Sequence, residues 1–191
     1  MGVLFHYRYQ NQTYLAGVNE NQLLSKQKKE PLSSFLILEL SHDIVVASLS
    51  PSPAFRIVQN HPEWFVPEES HPFDKRHVVE KVMKPLYREL AKYELLERNK
   101  MDTVLYIVKG DTVYQIFQYF AVLESVDFAS SGITEEVVYP YLLKGPKQES
   151  IEEFLFRMIE IIQKKVVGPS GEPYLYLSKS RKLITKGDAQ K

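Results

Sequence analysis

A layered α+β fold, with strands in groups and helices in groups, is what this sequence predicts, and three observations predict it. The opening stretch Met1–Val18, MGVLFHYRYQNQTYLAGV, alternates as a β-hairpin does. Two later stretches, opening at Asp74 and Ser150, repeat apolar residues at three- and four-residue spacing, the mark of amphipathic helices. Between and beyond them come further short apolar runs, paired across turn residues.

Taken in order, Val3, Phe5, Tyr7 and Tyr9 share one face of a first strand, with Leu4, His6 and Arg8 on the other. Gln10, Asn11 and Gln12 interrupt it, and Thr13 to Ala16 makes the second strand. A strand this close to a chain start stays ordered only when a sheet holds it. Asn19 to Pro31 is polar and Lys-rich, a solvated loop. Phe35 to Leu40 and Ile44 to Leu49 read as a second hairpin about Ser41-His42-Asp43. A short helix is placed around Phe55 to Asn60, and a loop over Pro67 to Phe73.

Asp74 opens the first long helix, whose stripe is Val78, Val79, Val82, Met83, Leu86, Leu90 and Tyr93. Pro85 lies inside it, so a kink or break is expected there. Thr103 to Lys109 and Thr112 to Phe120 are strands joined by Gly110-Asp111, and the aromatics Tyr114, Phe117, Tyr119 and Phe120 read as core. Ser130-Ser131-Gly132 reads as a turn. Thr134 is placed as the N-cap of a helix reaching Leu143, with Pro140 inside it. Ser150 and Glu153 form a capping box ahead of Phe154, Leu155, Met158, Ile159 and Ile162. Val166-Val167-Gly168-Pro169 ends that helix. Tyr174 to Leu177 and Lys182 to Thr185 are the closing strands.

The 191 residues are enough for one domain, assigned to residues 1–185 with a polar tail at 186–191. Lys+Arg 24 balances Asp+Glu 24, which argues against a nucleic-acid grip. Cysteine is absent, so no disulfide frame, thiolate catalysis or Cys-bound zinc is available. No run approaches the roughly 18 apolar residues of a membrane helix, and no signal-peptide pattern opens the chain. The expectation is a protein of the cytoplasm, with no membrane partner and no nucleic-acid partner.

Several motifs, in order and at matching spacing, carry a resemblance. The hairpin ends in Tyr14-Leu15-Ala16-Gly17. His42-Asp43-Ile44-Val45-Val46-Ala47 opens a later strand. Lys109-Gly110-Asp111-Thr112-Val113-Tyr114-Gln115-Ile116 spans a hairpin. Phe128-Ala129-Ser130-Ser131-Gly132 precedes a helix, and Val167-Gly168-Pro169 precedes the last strands. Over nearly the whole chain this order resembles the proteasome β-subunit and HslV-like branch of the N-terminal nucleophile (Ntn) hydrolases. The resemblance implies a four-layer αββα sandwich.

It also implies where chemistry would sit. The family's nucleophilic Thr corresponds to Gly2, which has no hydroxyl. Its Asp at the end of the second strand corresponds to Val18, or to Asn19 with a one-residue shift. Its Lys ahead of the third strand corresponds to Ser34. In that chemistry the terminal amine is the base, and neighbouring charges tune it. Ser131 alone keeps a hydroxyl at a family-like place. The resemblance therefore implies a pseudoenzyme without cofactor, acting through a homo-oligomer or a protein partner.

Two other readings stay open. An active peptidase or amidohydrolase would follow if the mature N-terminus lay elsewhere, for example at Thr13. A metal-dependent enzyme would use the His71 and His77 region, where His61, Glu68, Glu69 and Asp74 also gather. The spacing there matches no metal motif, and a polar loop capped by Asp74 explains it better, with His71 and His77 at the surface or in the cap. His6 reads as a hydrogen-bonded sheet residue.

Overall fold

In the computed structural model, β1 (Val3–Tyr9) and β2 (Gln12–Asn19) form the hairpin that the alternation predicts. Their register pairs Val3 with Val18, Phe5 with Ala16 and Tyr9 with Gln12. The turn is Gln10-Asn11 alone, both at positive φ (47° and 61°), the twist-matching form of a two-residue hairpin. Gln12 thus belongs to β2 rather than to the turn. Residues 3–19, 36–41, 43–68, 72–125, 127–130, 133–165, 171–186 and 188 are described. The expected loop from Asn19 to Pro31 lies, beyond Asn19, outside them, as do Val166-Val167-Gly168-Pro169.

The chain forms two compact units, one from Met1–Phe35 with Val126–Lys191, the other from Leu36–Ser125. In the first, β8 (Phe128–Ser130), β9 (Glu172–Leu177) and β10 (Lys182–Thr185) complete an antiparallel sheet in the order β10-β9-β2-β1-β8. The N-terminal hairpin is therefore interior to its sheet, with β9 on one side and β8 on the other. Ser130 ends a strand, where the sequence suggested the start of a turn.

α4 (Ile133–Leu142) and α5 (Ile151–Lys165) cover one face of this sheet. Val3, Phe5, Ala16, Val18 and Leu175 from the strands pack with Val138, Leu142, Phe154, Met158, Ile159 and Ile162 from the helices. α4 begins two residues earlier than a cap at Thr134 would give, so Thr134 lies inside its first turn and is not the cap. Gly145, at φ +64°, closes the turn after α4 with its N–H on the Leu142 carbonyl. At α5 the capping box forms as predicted. The Ser150 N–H donates to Glu153 Oε2 at 2.9 Å, and the Glu153 N–H donates to Ser150 Oγ at 3.2 Å.

The second unit holds β3 (Ile37–Glu39), β4 (Ile44–Ser48), β5 (Leu105–Lys109), β6 (Thr112–Ile116) and β7 (Val122–Ser125) in one antiparallel sheet, in chain order. β5 and β6 turn at Gly110, φ +58°, the position where a hairpin turn of the II′ kind needs a glycine. β6 stops at Ile116, short of the predicted end, and the chain reverses through Phe117–Phe120 into β7. That reversal leaves Tyr114 in the core but Tyr119 67% exposed, which corrects the reading of the whole aromatic run as core.

α1 (Pro53–Asn60) is capped by Ser52, whose Oγ accepts from the Phe55 N–H at 3.1 Å. The helix capped by Asp74 has three parts: α2 (Lys75–His77), a π-helical segment (Val78–Met83) and α3 (Lys84–Lys92). The irregularity that Pro85 predicts takes this form. The Lys84 N–H reaches back to the Val79 carbonyl, five residues away, and Pro85 then falls in the first turn of α3, where a missing N–H costs little. Val78, Val82, Leu86 and Leu90 pack with Ile44, Val46, Leu105 and Ile107. Tyr93, the last residue of the predicted stripe, caps α3 and is exposed.

Candidate functional site

Of the positions at which the resemblance would place catalytic groups, Val18 is the one the structure describes with its side chain. Gly2, Ser34 and Ser131 lie outside the described residues. Alternation along β2 puts Tyr14, Ala16 and Val18 on the helix-covered face and Thr13, Leu15 and Gly17 on the other. Val18 is buried among Val3, Phe5 and the apolar side of α5. A valine here is what the packing requires. A carboxylate would sit in an apolar core without the solvent or charge partner it needs.

The opposite face of the hairpin is also buried. Leu4, His6, Thr13 and Leu15 are all within 1% of full burial. His6 stands across from Leu15 on β2 and Ala129 on β8, a sheet residue rather than an exposed base. Gly17 stands across from Leu4 and from Tyr174 of β9. A Cβ on Gly17 would come within 2.7 Å of both the Tyr174 hydroxyl and the Val3 carbonyl oxygen. The Tyr174 ring thus occupies the space above Gly17, which is why the strand carries a glycine. Sequence reasoning misses Tyr174, because its role depends on the β2–β9 register. The only sequence signal is a glycine inside an otherwise bulky strand.

Two tyrosines mark how closed these cores are. Burial is the main cause that pushes the Tyr14 hydroxyl up to about 12, helped by the charge of Glu152 and a hydrogen bond to it. Tyr14 thereby ties β2 to the first turn of α5. In the second unit, burial likewise pushes Tyr114 up to about 12, with Glu124 and Asp74 adding to it.

The histidine-rich approach to α2 resolves into structural contacts. The Asp74 Oδ1 accepts from the His77 backbone N–H at 2.8 Å, which is the predicted cap. The His77 ring is buried, not at the surface, and its Nε2 donates to the Trp64 carbonyl at 3.0 Å. Phe73 packs on the same ring at 4.6 Å. His61 stacks flat on Trp64 at 4.2 Å and pairs with Glu63 at 2.7 Å, and that hydrogen bond holds the Glu63 carboxyl below its usual range. Glu68 pairs with Lys81. Glu69 and His71 lie outside the described residues. Among the described residues, no group of three or more His, Asp or Glu side chains could hold a metal ion, and no helix is long and apolar enough to cross a membrane.

No protein-family model matches the sequence, and no curated protein does. Solved structures do match by shape. Thiobacillus denitrificans BPH in complex with Epoxomicin superposes with a TM-score of 0.62 at 13% identity, covering 92% of this chain and 97% of that one. A second structure of Thiobacillus denitrificans BPH gives a TM-score of 0.62 at 12% identity, over 92% and 96%. Eukaryotic HslV from Trypanosoma brucei gives 0.56 at 11% identity, over 92% and 98%. At such identities the likeness speaks for the fold and not for the chemistry. Two antiparallel sheets with their helices, matched along nearly the full length of these neighbours, give this chain the HslV-like and proteasome-like Ntn-hydrolase fold that the sequence motifs predict.

Proposed function

We propose that this chain is a catalytically silent protein of the proteasome-like fold, acting in the cytoplasm through assembly with further copies of itself. The observation that carries the reading is Val18. The residue corresponding to the family's acidic group is a core valine, held between β1 and α5. Gly2 supplies no nucleophile and Ser34 no ammonium group, so all three roles are vacant together. Losing a supporting charge slows such a site, whereas losing the nucleophile removes the covalent route. The alternative start at Thr13 is disfavoured by its place inside β2, buried and paired with Arg8. Freeing its amine would strip β1 from the middle of a sheet. The metal-dependent alternative is disfavoured by the engagement of His77 with Trp64.

The assembly part rests on α4. From Val137 to Leu143 the sequence is wholly apolar or aromatic, yet only Val138 and Leu142 are buried in the core, with Val137 packed at its edge. Tyr139, Tyr141 and Leu143 stay exposed, Leu143 at 71%. Large apolar side chains gathered at the surface like these, at the end of α4 and just past it, suit an association face. With no net charge on the chain, copies do not repel one another. Light scattering at micromolar concentration tests this. The wild type is expected to be oligomeric, and Leu143→Glu to fall to monomer with an unchanged circular dichroism spectrum. A monomeric wild type would contradict self-assembly.

A further inference from the structure

We draw no further inference here: the strongest candidate, the charged hollow beside the π-helical segment between Glu68, Asp74, Arg76 and Lys81, has Asp74 engaged in a helix cap and Glu68 paired with Lys81, and nothing in the structure shows what would occupy it.

Discussion

The two units solve the same packing problem, a five-stranded antiparallel sheet with helices on one face, and in each the residues that invite a functional reading serve the packing differently. In the unit built on β1 and β2, the end of β2, where the resemblance would put an acidic group, carries Val18, a core residue, after Gly17, which Tyr174 crowds. In the unit built on β3 to β7, polar residues that look like surface groups are buried and bonded. His77 holds the Trp64 carbonyl, and Thr103 Oγ1 meets Ser48 Oγ at 3.0 Å while accepting from the Ser50 N–H at 3.2 Å. The capped-loop reading of the Asp74 region holds in the cap itself, but the His77 ring is buried rather than at the surface. In the other unit, the position that the resemblance assigns to an acidic group, Val18, is a buried core residue.

The largest test of this contrast is Val18→Asp. If Val18 is a core residue, the variant loses on the order of 4 kcal/mol in urea denaturation. The buried carboxyl would have a raised pKa in the folded state. It is then neutral, and the loss smaller, at low pH, and the loss grows as pH rises through the ordinary Asp range. A stable Val18→Asp protein that gains hydrolytic activity would break the comparison from the catalytic side.

Next comes Gly17→Ala. The added methyl would press on the Val3 carbonyl as well as on Tyr174, and backbone yields less easily than a side-chain tip. About 2–3 kcal/mol of stability should be lost. Gly110→Ala is the control, because its Cβ meets open space and pays only for φ +58°, about 1 kcal/mol. Equal losses in the two variants would mean that Tyr174 does not crowd Gly17.

His77→Ala gives the smallest effect apart from the Gly110→Ala control. It deletes the bond to the Trp64 carbonyl and empties a buried site beside Phe73, for a loss of about 2 kcal/mol. Unchanged stability, together with stoichiometric zinc in the wild type that the variant lacks, would restore the metal reading.

Much of the frame is legible in the sequence because its signals are local. The alternation from Val3 to Tyr9, the Asp74 cap, the Ser150–Glu153 box and the glycine turn at Gly110 each need only a few neighbouring residues, and each forms. The misses are non-local or short. β7 and β8 are too brief to show a period. Tyr93 and Tyr119 carry core-like side chains but lie where a helix ends and a hairpin turns, so no element covers them. His77 is buried by the Trp64 turn, and Tyr174 acts across a strand pair more than 150 positions apart in sequence. For the candidate site, the resemblance only points to positions, Gly2, Val18 and Ser34. That Val18 serves the core instead emerges only from the register of β1 with β2 and the cover supplied by α5.

The central claim, that no terminal nucleophile operates here, is tested most directly by intact-mass spectrometry of the native protein after incubation with epoxomicin, the compound carried by one structural neighbour. Wild type is expected to keep its mass, and so is Gly2→Thr, because the replaced hydroxyl still lacks a tuned amine with Val18 and Ser34 unchanged. A stoichiometric adduct on the N-terminal residue of the wild type, lost when the protein is unfolded before treatment, would contradict the account.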